Sequence, residues 1–303
     1  MTILHLAKLH ATANDFLVLS DLDGRFGPAG SPTLSEVVRA ALCDRRRGLG
    51  ADGLIRLLAG EDGTDCTMEL TNADGGLAEI SGNGLRCLAY VAAGLGLAQG
   101  DRLVVGTAAG VKEMTVVRSG GEVVGASADM GAITFEPARI PLDAPSAFDL
   151  ETVVDGVVYR GDAAGAGNPH FVMIVDDPGA VPLERHGPVL EHDARFPRRT
   201  NVEMIAARDG GLVMRVWERG VGETASCGSG ACAAAAVAHR RGLVPASTTV
   251  ELPGGTLTVE MGETVRLGGP VAHVYDVDVD LDRLARSAGV AALAGPSLGR
   301  EAE

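Results

Sequence analysis

The stretch Glu218-Arg219-Gly220-Val221-Gly222-Glu223-Thr224-Ala225-Ser226-Cys227-Gly228-Ser229-Gly230-Ala231-Cys232 sets a thiol on a glycine-rich turn that opens into an alanine-rich helical run, Ala231 to His239. Backbone N–H groups at a helix start carry partial positive charge, so they stabilise a thiolate and can hold a carboxylate docked beside it. An earlier stretch, Asn72-Ala73-Asp74-Gly75 followed by Ser81-Gly82-Asn83-Gly84-Leu85-Arg86-Cys87-Leu88-Ala89, repeats the design 146 positions ahead, nearly half the chain. Glu218 stands nine positions before Cys227, and Asn72 stands nine before Ser81. The chain reads as two similar halves, each offering one hydroxyl or thiol to a shared cleft.

Bulk composition narrows the partners. The 303 residues suit two domains, and 46% hydrophobic content supplies two cores that, with 3% aromatics, must be built from Leu, Val, Ile and Ala. With 26 Lys and Arg against 40 Asp and Glu the net charge is −14, which repels phosphate backbones and excludes nucleic acid as an expected partner. No basic segment followed by an apolar run marks a signal peptide at the start, and no apolar run approaches the ~18 residues of a membrane span. Five cysteines without a CxxC pair argue against a disulfide framework and a zinc site. The expected setting is a reducing cytoplasm, with no metal and no cofactor; a homodimer stays open.

Short β-like runs recur, among them Phe16 to Ser20, Leu54 to Leu58, Thr67 to Thr71, Phe171 to Val175, Leu212 to Glu218 and Leu257 to Met261. Helical runs are fewer: Leu34 to Arg46, Leu85 to Gly94, and Ala231 to Arg241 closed by Gly242. Several strands per helix predict an α+β protein in which each half curls a mostly antiparallel sheet around a central helix. The expected lobes are 1–125, carrying Ser81 and rejoined by a C-terminal strand at about 271–290, and 126–270, carrying Cys227. The boundary is placed at Gly120 to Ala132, and the tail from Ser287 is expected to be mobile.

Among the cysteines, Cys227 has the strongest catalytic profile, while Cys43, Cys66, Cys87 and Cys232 sit among apolar neighbours and read as buried structural thiols. Gly82-Asn83-Gly84 and Gly228-Ser229-Gly230 would each be ordinary turns alone. Two of them, each after a hydroxyl or thiol and before an apolar helix, point to a site. Neither has the spacing of a nucleotide cradle. Glu218-Arg219 gains meaning only from the shared nine-residue offset, since charged pairs at strand ends are usually solvated. His170, after Gly165-Ala166-Gly167-Asn168-Pro169, lines a cleft on this reading.

These segments, together with His10-Ala11-Thr12-Ala13-Asn14-Asp15-Phe16, Gly48-Leu49-Gly50-Ala51-Asp52-Gly53 and Thr200-Asn201-Val202-Glu203, resemble the diaminopimelate epimerase family of cofactor-independent racemases. The resemblance runs from about His10 to Tyr275. It implies two pseudo-symmetric domains, each a sheet wrapped around a central helix, with the active site in the cleft between them. It implies an acid and a base on opposite faces of the substrate α-carbon, at Ser81 and Cys227. Gly82, Asn83, Gly228 and Ser229 would hold the α-carboxylate through helix-start N–H groups. His170 and Glu218 would handle the α-amino group and tune the acid and base. Asn14, Asn72, Asn168, Asn201 and Arg219 would hold the distal amino-acid end of a diaminopimelate-like substrate, in lysine and peptidoglycan precursor synthesis.

The sequence departs from the family at position 81, where cysteine is usual. A hydroxyl is far less acidic than a thiol and is a poor base without an activating partner. Three explanations stand: a replacement introduced to trap substrate or spare a close thiol pair, a natural serine in an enzyme that still inverts its substrate, or a changed reaction using Cys227 alone. Smaller departures are Gly53, Ser229, Ala11 and Ala13. Alternative functions are a racemase or epimerase of another amino acid, or a catalytically impaired amino-acid-binding homologue.

Overall fold

The computed structural model describes residues 2–27 and 31–288. The chain divides into two compact units, one of Met1–His10, Asp15–Lys112 and the stretch from Ala272 onward, the other of Ala11–Asn14 and Glu113–Val271. The first contains β1 (Ile3–Ala11), β2 (Asn14–Ser20), α1 (Glu36–Cys43), β3 (Gly53–Ala59), β4 (Cys66–Asn72), β5 (Leu77–Ala78), α2 (Gly82–Gly94) and β6 (Arg102–Gly106). The second runs through β7 (Lys112–Ser119), β8 (Glu122–Asp129), β9 (Leu150–Val154), β10 (Val157–Gly165), β11 (Pro169–Ile174), α3 (Leu183–Glu191), β12 (Asn201–Arg208) and β13 (Gly211–Glu218). It continues with β14 (Gly222–Thr224), α4 (Gly228–Arg240), β15 (Ser247–Leu252), β16 (Gly255–Met261) and β17 (Val265–Pro270). β18 (Ala272–Asp280) and α5 (Leu281–Ala288) return to the first unit, where β18 pairs antiparallel with β1. The rest of the tail expected to be mobile, from 289 on, lies outside the described residues.

The repeat suggested by the glycine turns extends through the topology. In the first unit β2 pairs parallel with β3, β3 antiparallel with β4, and β4 with both β5 and, in parallel, β6. In the second β11 pairs parallel with β12, β12 antiparallel with β13, and β13 with both β14 and, in parallel, β15. The helices fall at matching points in both orders, α1 with α3 and α2 with α4. Helices α2 and α4 are each 13 residues long. Each ends in a Schellman motif: Gly96 and Gly242 take φ of +76° and +72°, and Leu97 and Leu243 donate back to Ala92 and Ala238 at 3.0 and 2.9 Å.

α4 is central because its side chains are small and apolar on every face. Ala231 to Ala235, Val237 and Ala238 are all fully buried, and a helix apolar all round must be enclosed. β10, β11, β12, β13, β15, β16 and β17 all contact it. Val172, Ile205, Met214, Val216, Val250, Leu257 and Val259 pack onto it from these strands, each such burial contributing roughly 1.5–3 kcal/mol. Alanines let the sheet curl close, which is how a core with few aromatics closes.

The units meet in sequence at Lys112/Glu113, ahead of the boundary expected at 125. The reason is a hairpin: Gly120 and Gly121, with φ of +60° and +89°, form the two-residue turn between β7 and β8. β8 in turn pairs with β17 of the second unit. What looked like a linker is the tip of a ribbon. α1 is shorter than Leu34 to Arg46 because Asp44 leaves helical geometry and its carboxylate accepts the Arg46 and Arg47 N–H groups at 2.8 Å.

Two glycines separate backbone strain from collision. Gly75 has φ +87° and a Cβ there would stand 2.0 Å from the Glu36 carbonyl oxygen, whereas Gly96 has φ +76° and nothing within 4 Å. Gly96→Ala should cost about 1–2 kcal/mol, the left-handed penalty alone. Gly75→Ala should cost about 1–3 kcal/mol more, from the added crowding. Urea unfolding measures both; equal losses would contradict the packing assigned to Gly75.

Candidate active site

Cys227 is the N-cap of α4. Its backbone is extended, at φ −131° and ψ 113°, and its Sγ accepts the Gly230 N–H at 3.4 Å. Ser81 is the N-cap of α2, at φ −139° and ψ 124°, and its Oγ accepts the Gly84 N–H at 3.1 Å. Both helices begin three residues earlier than the sequence indicated, so the thiol and the hydroxyl belong to the helix ends themselves. Gly84 and Gly230 are glycines for the same reason. A Cβ would lie 3.2 Å from Ser81 Cβ at the first and 3.2 Å from Cys227 Sγ at the second. The first N–H groups of a helix have no carbonyl one turn earlier to meet, which makes a helix start suit an anion.

Around Cys227 the second unit assembles a buried polar cluster. Glu218, at the end of β13, accepts from Thr224 Oγ1, and its charge acts on the Cys227 thiol. Ser229 Oγ lies 3.6 Å from the sulfur. His170, on β11, is fully buried, its Nδ1 2.7 Å from Glu203 Oε1 on β12 and its Nε2 2.8 Å from Asn168 Oδ1. Asn201 Oδ1 accepts the Arg219 N–H at 2.9 Å and its Nδ2 donates to the Pro169 carbonyl at 2.9 Å. Asn201 therefore joins the turn before His170 to the turn after Glu218. Arg219 itself donates to the Arg198 carbonyl at 3.0 Å.

Four supporting residues carried no signal on their own. Glu191 accepts from Trp217 Nε1, the Gly220 N–H and Arg199, which pins the Glu218-Arg219 turn from behind. Thr12 and Ser226 share a 2.6 Å hydroxyl bond immediately before Cys227. Glu203 was visible only as an ionisable residue inside an apolar strand. In the first unit, Asn83 is buried and its Oδ1 accepts from Arg86 at 2.8 Å. Burial lowers the Arg86 guanidinium to about 10. Asn72 is exposed at the end of β4, and Asn14 is half-buried at the start of β2. Among the described residues no group of three or more His, Cys, Asp or Glu is placed to hold a metal ion.

The Cys227 thiol behaves differently from the thiolate that a helix start favours. Burial, then the charges of Glu218 and Glu203, push it well above its ordinary value, against the smaller opposing effects of Ser229 and the Gly230 N–H. The other four cysteines are also buried, and burial raises Cys43 to about 11 and Cys66, Cys87 and Cys232 to about 12. Burial also raises Glu218, opposed by Thr224 and then Cys227. In this pair the carboxyl ionises first. Cys227 therefore rests as S–H beside the Glu218 carboxyl group.

A raised carboxyl has a stability signature. The native state keeps a proton on Glu218 that the unfolded chain releases near 4.5, so stability falls as pH rises from there through the folded value, and the penalty persists at neutral pH. Glu218→Gln should therefore raise Tm near pH 7.5, leave it almost unchanged near pH 4, and lower activity. Calorimetry across pH checks this; a Tm lowered at pH 7.5 would contradict the burial account.

The sequence profile of the family described as diaminopimelate epimerase matches residues 6–136 and 163–272. A diaminopimelate epimerase from Moorella thermoacetica is 40% identical over 285 residues, covering 92% of this chain and 100% of that protein. One from Pelotomaculum thermopropionicum is 38% identical over 277 residues, covering 90% and 97%. Among solved structures, a hydroxyproline epimerase from Agrobacterium vitis with bound trans-4-hydroxy-L-proline matches with a TM-score of 0.65 at 17% identity, covering 91% of this chain and 92% of that one. A probable proline racemase from Agrobacterium radiobacter matches at 0.67 and 15%, covering 95% and 96%. The structural matches share the fold; the sequence matches settle kinship. The chain belongs to the diaminopimelate epimerase family.

Proposed function

We propose that this protein is an isomerase that inverts one α-carbon of LL-diaminopimelate to give the meso form, without a cofactor. The observation that carries the reading is the pair of matched N-caps, Ser81 Oγ on Gly84 N–H and Cys227 Sγ on Gly230 N–H, each at the tip of a 13-residue helix. Kinship with diaminopimelate epimerases over nine-tenths of the chain supports the substrate.

The chemistry follows from the weak acidity of an amino-acid α-proton. Removing it places charge on the α-carbon and its carboxylate, and preformed N–H donors at two helix starts stabilise that charge without reorganising. Inversion takes the proton from one face and returns another on the opposite face. Cys227, resting as S–H, is suited to deliver a proton, and the thiolate it leaves recovers one from solvent, relayed through Glu218 beside it. Ser81 occupies the opposing role, its Oγ taking the α-proton as its own hydroxyl proton passes to solvent. Its hydroxyl is the weak member of the pair, so proton transfer at that face limits turnover. Asn14, Asn72, Asn168, Asn201 and Arg219 hold the distal end of the substrate, and His170 meets the α-amino group.

A second reading is favoured by Ser81 itself: a protein that captures diaminopimelate but turns it over poorly. Solvent exchange separates the two. In deuterated water the protein should wash deuterium into the α-position of LL- and meso-diaminopimelate, and Cys227→Ala should abolish this. Ser81→Cys should raise exchange by at least about 10²-fold, the lower range of general acid–base catalysis. Tight binding with no exchange in either the unaltered protein or Ser81→Cys would instead establish a binding protein, and exchange confined to another amino acid would remove diaminopimelate as the substrate.

A further inference from the structure

Glu203 is fully buried, 0% exposed, in the middle of the apolar strand Val202 to Ala206. Its Oε1 meets His170 Nδ1 at 2.7 Å, and its Oε2 has no hydrogen-bond partner among the described residues. On the far side the carboxylate rests on the first turn of α4, where a Cβ on Gly230 would stand 2.8 Å from Oε1. Enclosing a carboxylate with one oxygen unsatisfied is expensive. The position makes sense if the contact with His170 has a use.

We propose that Glu203 is a positioning residue that holds a proton on His170 Nδ1 and thereby leaves Nε2 as the nitrogen that can accept from the substrate α-amino group. An ionised carboxylate offers only acceptors, so the ring nitrogen facing it carries hydrogen. In an imidazole, the hydrogen bond at one nitrogen decides what the other can do. The nitrogen on the other side, Nε2, faces the Asn168 side-chain amide at 2.8 Å. That amide serves either protonation state: its oxygen accepts from Nε2–H, and after a half-turn its NH2 donates to a bare Nε2. One side of the ring is fixed and the other is adjustable. A buried carboxylate that fixes a catalytic imidazole in this way is the role of the aspartate in serine-protease triads. Here the fixed partner comes from β12 and the adjustable one from the turn before β11, so the ring is held across two paired strands.

The catalytic consequence rests on the role proposed above for His170, but the proton position does not, and the test keeps them apart. Nitrogen-15 spectra of histidine-labelled protein, with His170 identified by its loss in His170→Asn, should show a protonated Nδ1 at neutral pH. In Glu203→Leu the proton should move to Nε2, and kcat should fall roughly 10- to 100-fold, the usual effect of removing a supporting partner, with KM changed less than about threefold. Glu203→Gln, whose amide oxygen can still accept, should restore the Nδ1 proton and most of the turnover. A bare Nδ1 in the unaltered protein overturns the proposal, whether or not Glu203→Leu folds. So does a Glu203→Leu protein with an unchanged spectrum. A protonated Nδ1 in a protein inactive on diaminopimelate would leave this assignment standing and remove the proposed substrate instead.

Discussion

A side chain bonded to the third N–H of its own helix is the contact on which the remaining architecture depends. Gly230 to Cys227 and Gly84 to Ser81 fix the sulfur and the oxygen at helix tips rather than on mobile turns. A methyl group at Gly84 would crowd Ser81 and Ile55, and one at Gly230 would press first on the Glu203 carboxylate and then on Cys227. Helix α4 in turn must be small-sided to sit inside a curled sheet, and the run of alanines supplies that. Local capping, packing and the placement of the reactive groups are thus consequences of the same short sequence, written twice.

The second constraint is electrostatic. The helix start favours negative charge beside Cys227, yet Glu218 and Glu203 bring two carboxylates to the same place, and enclosure outweighs the backbone dipoles. The result is a thiol that rests protonated beside a carboxyl group whose own ionisation is also disfavoured by burial. Glu191, Asn201 and Thr224 use their bonds to keep that arrangement from relaxing.

Much of this was legible in the sequence because it is local. The paired Gly-X-Gly turns gave the helix tips, the nine-residue offsets gave the strand ends at Asn72 and Glu218, and the small-residue run gave the central helix. What failed depended on partners distant in sequence. Gly120-Gly121 resembles a linker until β8 is known to pair with β17. α3 is masked by Gly187 and Pro188, and Gly187 is explained only by the Trp217 ring, 2.5 Å from where its Cβ would stand. The sign of the Cys227 shift comes first from the sulfur's own burial, which no local motif announces, with Glu218 and then Glu203 adding to it. Glu203 itself was passed over because a single acidic residue in a strand gives no sign of which side it faces.

On the proposed function, the two helix caps would serve one carbon atom. A crystal structure with diaminopimelate bound tests it most directly. The account predicts the α-carbon within about 3–3.5 Å of both Ser81 Oγ and Cys227 Sγ, the distance of a reactive approach, with the α-carboxylate on the N–H groups of Gly82, Asn83, Gly228 and Ser229. A ligand whose α-carbon touches only one of the two caps would contradict it.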